Sequence, residues 1–547
     1  MELLSNSKKN VFESQREMVD NSFVAQISRN KHNYLLGEPS ASEEYIWPNQ
    51  QADADSIVKN FYENPKCRVQ SVQKYTKVGA NGFMLATARG MATHHDDLFI
   101  TNIKKNYILT GMSNASWQDD FIKEAPDCLK GNIYHHGQLN KLDLDNMYDS
   151  LIIIDEIDTG DKEGQILHMK LKQSGILDIE HMNTHNNRII VISATMIKEL
   201  HELYNWGPDI HKPFQMTIPP GYIGVSDFLL KNIIKEFYPL TNTVSANKWV
   251  KEDIIDEYEN DFRIHLCRAT SKTLPYIQEA CSKYGVLYMN HTSIDRISSE
   301  ELEYIFTHDY DRHVVLCVKG FYRRANLIPN RWKLKIGCTH ERHTNTPDYN
   351  VQIQGLPGRL TGYWREYIEN GHKTGPFRTS IEAINQYEAS ILDPFSDTYS
   401  YQTTGFKKKR NNVSTKKRTM LHTTNIENLD TNADDVENKN EDFERGYEIF
   451  DSQRENDTYA KKHGAKNKSR VYPESNGFKI CSTSVKCVHS LDDIEKIANS
   501  VNLGSNLDKA ISSLEIGEYA HRRYVCYRDL SDKASECYVT IWTKRIK

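Results

Sequence analysis

The chain has 547 residues, with 69 Lys and Arg against 74 Asp and Glu, for a formal net charge of −5. That length exceeds a single hydrophobic core and points to about three domains, and the charge excludes polyanion binding by bulk electrostatics, leaving only local basic patches. No apolar run approaches the roughly 20 residues of a membrane span, no apolar h-region opens the chain, and ten cysteines without a CxxC pair point to reduced thiols in an intracellular compartment, cytoplasmic or nuclear, rather than a zinc ribbon.

Taken in order, residues 1–43 are polar and read as a flexible arm. Lobe 1 is predicted over 44–245, with strands at 67–73, 107–111, 151–155 and 189–193 alternating with amphipathic helical stretches. Lobe 2 is predicted over 246–394, with strands at 263–267, 285–289, 313–319 and 333–338. Such alternation predicts α/β lobes with parallel sheets covered by helices on both faces. Residues 395–475 hold a basic run (FKKKRNNVSTKKR) and an acidic one (IENLDTNADDVENKNEDFE), and so read as a charged, disordered linker. Residues 476–547 regain order as a small α+β module. There Ser490 is placed to cap the helix LDDIEKIANSVN, and YAHRRYVCYRDL and SECYVTIWTKR read as strands. Basic residues interleaved with Tyr and Trp at its end suit either nucleic-acid contact or plain strand propensity.

The chemistry concentrates in LIIIDEIDTGD (151–161) and RIIVISATM (188–196). Each reads as a buried parallel strand that delivers polar residues at its C-terminal end, where ligands sit in open α/β sheets. Asp155 is placed to hold Mg²⁺, and Glu156 to orient and deprotonate water.

In this order the two segments resemble motifs II and III of superfamily 2 helicases, the DEAD-like group. The resemblance extends over about residues 45–370, and the Asn/Lys/Ile-rich style is similar to that of helicases of large DNA viruses. It implies two RecA-like lobes with ATP and Mg²⁺ between them and nucleic acid, DNA or RNA, across the top. Glu156 would be the catalytic base and Asp155 the metal carboxylate. Ser193 and Thr195 would couple hydrolysis to movement.

The stretch at 71–91 stands where motif I belongs, with Lys77, Gly79, Ala80, Asn81 and Gly82 along the phosphate loop. Ala80 falls at the phosphate-binding lysine and Asn81 at the Mg²⁺-binding hydroxyl, so motif I is degenerate. Lys77 or Lys74 is placed to reach in from the loop. Gln50 resembles the adenine-reading glutamine that precedes motif I. VQIQGLPGRLTGYW (351–364) resembles motif VI, with Arg359 as the trans-lobe arginine, Gln354 upstream, and Gly362 where a second arginine is usual. Ser113 and Asn114 (motif Ia) and Arg323 and Arg324 (motif V) would contact nucleic-acid phosphates. Two functions follow: coupling of ATP binding and hydrolysis to nucleic-acid unwinding or translocation, or a hydrolysis-dead nucleic-acid-binding or scaffolding subunit. The C-terminal module is left to protein partners.

Overall fold

A computed structural model describes residues 2–38, 41–94, 101–112, 115–142, 144, 147–159, 165–292, 295–319, 322, 328–345, 347, 352–394, 443–463, 474–475, 477–480, 488–498 and 519–545. The chain divides into two units, 1–427 and 428–547.

The first unit holds two six-stranded sheets. Sheet one is built from β1 (Val69–Gln73), β2 (Asn106–Thr110), β3 (Ile133–Tyr134), β4 (Leu151–Asp155), β5 (Arg188–Ser193) and β6 (His211–Gln215), in the order β3-β2-β4-β5-β1-β6. All its pairings are parallel. Sheet two is built from β7 (Ile234–Glu236), β8 (Ile264–Arg268), β9 (Leu287–His291), β10 (Val314–Val318), β11 (Ile336–His340) and β12 (Phe377–Thr379), in the order β7-β12-β11-β8-β10-β9, again parallel throughout. These are two tandem RecA-like lobes. The continuous apolar runs are explained by burial on both faces: Ile153 joins one core of lobe 1, while Ile152 and Ile154 join the core on the opposite face.

Three boundaries differ from expectation. The N-terminal arm forms α1 (Glu2–Leu35), whose Val19 and Phe23 enter the lobe 1 core. Gln15 Nε2 donates to the carbonyls of Ala92 and Thr101, and Asp20 pairs with Arg89 at 2.7 Å. Only a thin line of apolar residues anchors this helix, so the stretch reads as polar.

Lobe 2 also begins earlier than residue 246. Its edge strand β7 pairs Ile234 with Phe377, and Ile223, Val225 and Phe228 lie in its core. An edge strand of three residues is too short to signal its sheet in the sequence.

The third difference lies in the second unit. Part of the expected linker forms β13 (Phe443–Phe450) and a helix over Gln453–Lys462. The other strands are β14 (Glu474–Ser475), β15 (Phe478–Lys479), β16 (Tyr519–Tyr527) and β17 (Glu536–Arg545). The main sheet is antiparallel, in the order β13-β17-β16. β13 is charged because it is an edge strand, and its partner β17 lies about ninety residues on, beyond local pattern reading. Ser490 Oγ caps the helix Leu491–Ala498 by accepting from Asp493 N at 3.1 Å, as its sequence predicts. Tyr524 and Tyr527 are buried, Arg523 pairs with Asp457, and Arg528 pairs with Asp451. Strand packing therefore accounts for most of the basic and aromatic alternation. Cys526 and Cys537 are buried and not joined as a disulfide, with their Sγ atoms 3.4 Å apart. Among the described residues no helix is long and apolar enough to cross a membrane.

Candidate functional site

Parallel pairing brings three strand ends together. β5 lies between β4 and β1, with Asp155 beside Ile192 and Gln73 beside Ser193. The residues that follow each strand therefore meet at one sheet edge. Lys74, the first residue after β1, anchors its backbone N–H on Ser193 O at 3.2 Å. Its ammonium lies 2.7 Å from Asp155 Oδ1 and 3.1 Å from Glu156 Oε1. Burial works against that charge, but Asp155 and then Glu156 outweigh it and hold the Lys74 ammonium above its usual range.

The carboxylates have further partners. Trp117 Nε1 donates to Asp155 Oδ2 at 3.0 Å. Gln354 Nε2 donates to Glu156 Oε2 at 3.2 Å, and Ser193 Oγ lies 3.4 Å from the same oxygen. Ser193 and Thr195 each donate to Asp158 at 2.8 Å. Arg359, 2% exposed, donates from Nη2 to Gln354 Oε1 at 2.9 Å. Gln354 thus joins Glu156 of lobe 1 to Arg359 of lobe 2. The structure brings Asp155, Glu156, Ser193, Thr195 and Arg359 into one buried network where the two lobes meet.

The phosphate-loop segment runs from Lys74 to Gly79 and enters α2 (Ala80–Thr93), with left-handed backbone at Lys77 (φ 62) and Gly79 (φ 95). Its carbonyls are held from three sides. Tyr222 Oη and Thr361 Oγ1 donate to Thr76 O at 2.6 and 2.8 Å, and Tyr363 Oη donates to Val78 O at 2.6 Å. Gln50 Nε2 donates to Gly79 O at 2.8 Å, while Gln50 Oε1 accepts from Trp47 N at 3.0 Å. A Cβ at Gly79 would lie 2.3 Å from Gln50 Nε2, and one at Gly82 would lie 2.0 Å from Gln50 Oε1. The two glycines therefore make room for Gln50, whose amide lies against the loop. Ala80 begins the helix and packs against the lobe 1 core.

Asn81 turns to α3 (Ala115–Glu124), donating to Glu124 Oε2 at 2.9 Å. Burial pushes the Glu124 carboxyl up, and this hydrogen bond opposes the shift.

Two further cations line the cleft. Burial, and then Arg359, Lys333 and Lys74, push the Lys77 ammonium well below its usual range, with Glu156 opposing. Lys333, 3% exposed, donates to Thr361 O at 2.7 Å and Asn330 Oδ1 at 3.2 Å. Burial, and then Arg359, lower it to about 7. Because the unfolded chain holds that proton up to the ordinary 10.5 and the folded chain releases it near 7, stability should rise with pH across that window. Denaturant titrations from pH 7 to pH 10 are expected to show a steeper rise for the native chain than for Lys333→Gln. Equal slopes would contradict a buried ammonium here.

The donor set of Lys77, Lys333, Arg359 and nearby backbone fits a polyphosphate. It does not fit a divalent cation as the side chains lie. Both Asp155 oxygens are engaged and Asn81 faces away. No group of three or more His, Cys, Asp or Glu able to hold a metal occurs among the described residues. Sequence reasoning missed Lys333 and the donation from Trp117, which reads as core and is indeed mostly buried. Ser113, Asn114, Arg323 and Arg324 lie outside the described residues.

The sequence matches no family model and no curated protein. Solved structures of similar outline include S. cerevisiae Dbp5 bound to Gle1 and IP6, at 13% identity over 65% of this chain and 92% of that one, TM-score 0.35. A DEAD box protein from the hyperthermophile Methanococcus jannaschii is similar at 12% identity over 63% and 90%, TM-score 0.31. The Sulfolobus solfataricus SWI2/SNF2 ATPase core in complex with dsDNA is similar at 11% over 63% and 91%, TM-score 0.25. The two-lobed architecture rests on the strand order and parallel pairing of this chain.

Proposed function

We propose that the chain is a helicase-like protein that binds ATP between its lobes and couples hydrolysis to movement on nucleic acid, with Lys74 standing in for the lysine missing at position 80. The observation that carries this reading is the Lys74 ammonium, delivered by the loop's first residue to Asp155 at 2.7 Å and Glu156 at 3.1 Å. A γ-phosphate entering there would meet a lysine already at the carboxylates. Glu156 would accept a proton from an attacking water, with Gln354 and Ser193 orienting its carboxylate. Arg359, tied to Glu156 through Gln354, would report γ-phosphate occupancy to lobe 2. Mg²⁺, where bound, would neutralise phosphate charge.

A second reading, a nucleotide-binding relative without turnover, is favoured by the engaged Asp155 oxygens and by Asn81 turning to Glu124. Nucleic-acid-stimulated ATPase decides between the two. Turnover that Glu156→Gln lowers by about a hundredfold or more is the expected result for a lost catalytic base. Binding of a fluorescent ATP analogue that persists in EDTA without turnover would establish the second reading. Absence of both would remove the nucleotide from either.

A further inference from the structure

Two positions where the resemblance calls for a cation carry none, Ala80 and Gly362. The backbone explains why the second cannot be filled directly. The helix Leu356–Leu360 ends before it, Thr361 is extended, and Gly362 sits at φ +127, a conformation that side chains rarely adopt. A Cβ built on Gly362 would lie 3.0 Å from Lys333 Nζ and 3.8 Å from Lys77 Cβ. The space that a side chain at 362 would enter thus holds the ammonium of Lys333, delivered from the short helix Asn330–Lys333.

We propose that Lys333 of lobe 2, which stands beside Gly362 together with Lys77 of the loop, binds the terminal phosphates of the nucleotide and replaces the charge missing at 362. This rests on reading the cleft as a nucleotide site. Three observations carry it. Among the described residues neither lysine forms an ion pair with a carboxylate, while the other loop lysine, Lys74, meets two. Lys333 is buried and makes its hydrogen bonds to a carbonyl and an amide oxygen. Arg359, also of lobe 2, is buried and held by Gln354 Oε1 at 2.9 Å.

Burying an ammonium without a counter-charge carries a desolvation penalty that a bound anion would offset. A lysine kept only to hold Thr361 O could be exchanged for a neutral donor at no loss of function. A phosphate-binding lysine could not. The depressed proton affinities of both lysines are what crowding by like charge and burial produce, and a polyanion would relieve both.

The test uses the full chain with Lys333→Gln, which keeps an N–H donor without the charge, and Lys333→Arg, which keeps the charge. The probes are fluorescent ATP and AMP analogues and inorganic tripolyphosphate. Lys333→Gln is expected to weaken ATP and tripolyphosphate binding about tenfold or more. AMP binding should stay unchanged, and Lys333→Arg should keep most of the triphosphate affinity. An ATP-to-AMP affinity ratio in Lys333→Gln equal to that of the native chain would overturn the proposal while leaving the nucleotide reading standing. Lys333-dependent binding of tripolyphosphate without ATP binding would uphold the cation pair and sink the nucleotide reading. Binding of neither anion would overturn both.

Discussion

Replacing Lys74 with methionine is expected to destabilise the first unit by about 3–5 kcal/mol, because it removes the ammonium that two adjacent buried carboxylates both contact. Asp155 Oδ1 and Glu156 Oε1 lose contacts of 2.7 and 3.1 Å, and Trp117, Gln354 and Ser193 offer them neutral donors only. The ammonium is held above its usual range, so its stabilisation is complete below the ordinary lysine value of 10.5 and is lost only as pH rises beyond it. The deficit should therefore be visible throughout the neutral range. Denaturant unfolding of Lys74→Met, and of Lys74→Met combined with Asp155→Asn and Glu156→Gln, would measure it. The combined variant should recover most of the loss, since neutral groups of similar shape remove the uncompensated charge. A Lys74→Met loss below about 1 kcal/mol, the range of a solvated surface pair, would show that this bridge does not organise the cleft.

Replacing Glu341 with alanine is expected to cost about as much, roughly 3–5 kcal/mol, and also to abolish communication between the lobes. Glu341 is 0% exposed, and its Oε1 pairs with Arg268 Nε at 2.6 Å. Its Oε2 accepts the backbone N–H of Leu356 at 2.8 Å, the first residue of the helix that carries Arg359. The carboxylate thus neutralises a buried guanidinium and pins the start of that helix. Combining Glu341→Met with Arg268→Met should restore stability but not the anchored N–H, so Arg359 and Gln354 would remain misplaced. The check is denaturant unfolding beside ATP-analogue binding. Full binding and response in the destabilised single variant would show that the anchor does not position Arg359.

The two α/β lobes were legible because their strands are uninterrupted apolar runs, and only strands buried on both faces read that way. Asp155, Glu156, Ser193 and Thr195 were legible because they follow such runs directly, and parallel pairing places those ends together. Arg359 was legible from its glycine-rich context.

Which lysine serves the site was decided in three dimensions. Lys74 meets the carboxylates from the first position after β1, and the left-handed backbone at Lys77, which its residue type does not announce, sets the course of the loop beyond it. The sequence could say that Ala80 and Asn81 lack the usual groups. That Asn81 faces Glu124, that Gln50 fills the loop's glycine side, and that Lys333 stands against Gly362 from 29 residues upstream needed the packing of separate segments. By itself the sequence determined where the strands run and which polar groups end them, because burial and backbone pairing act locally along the chain. Charge compensation across the cleft belonged to the tertiary structure alone, because it depends on distances between groups from different elements.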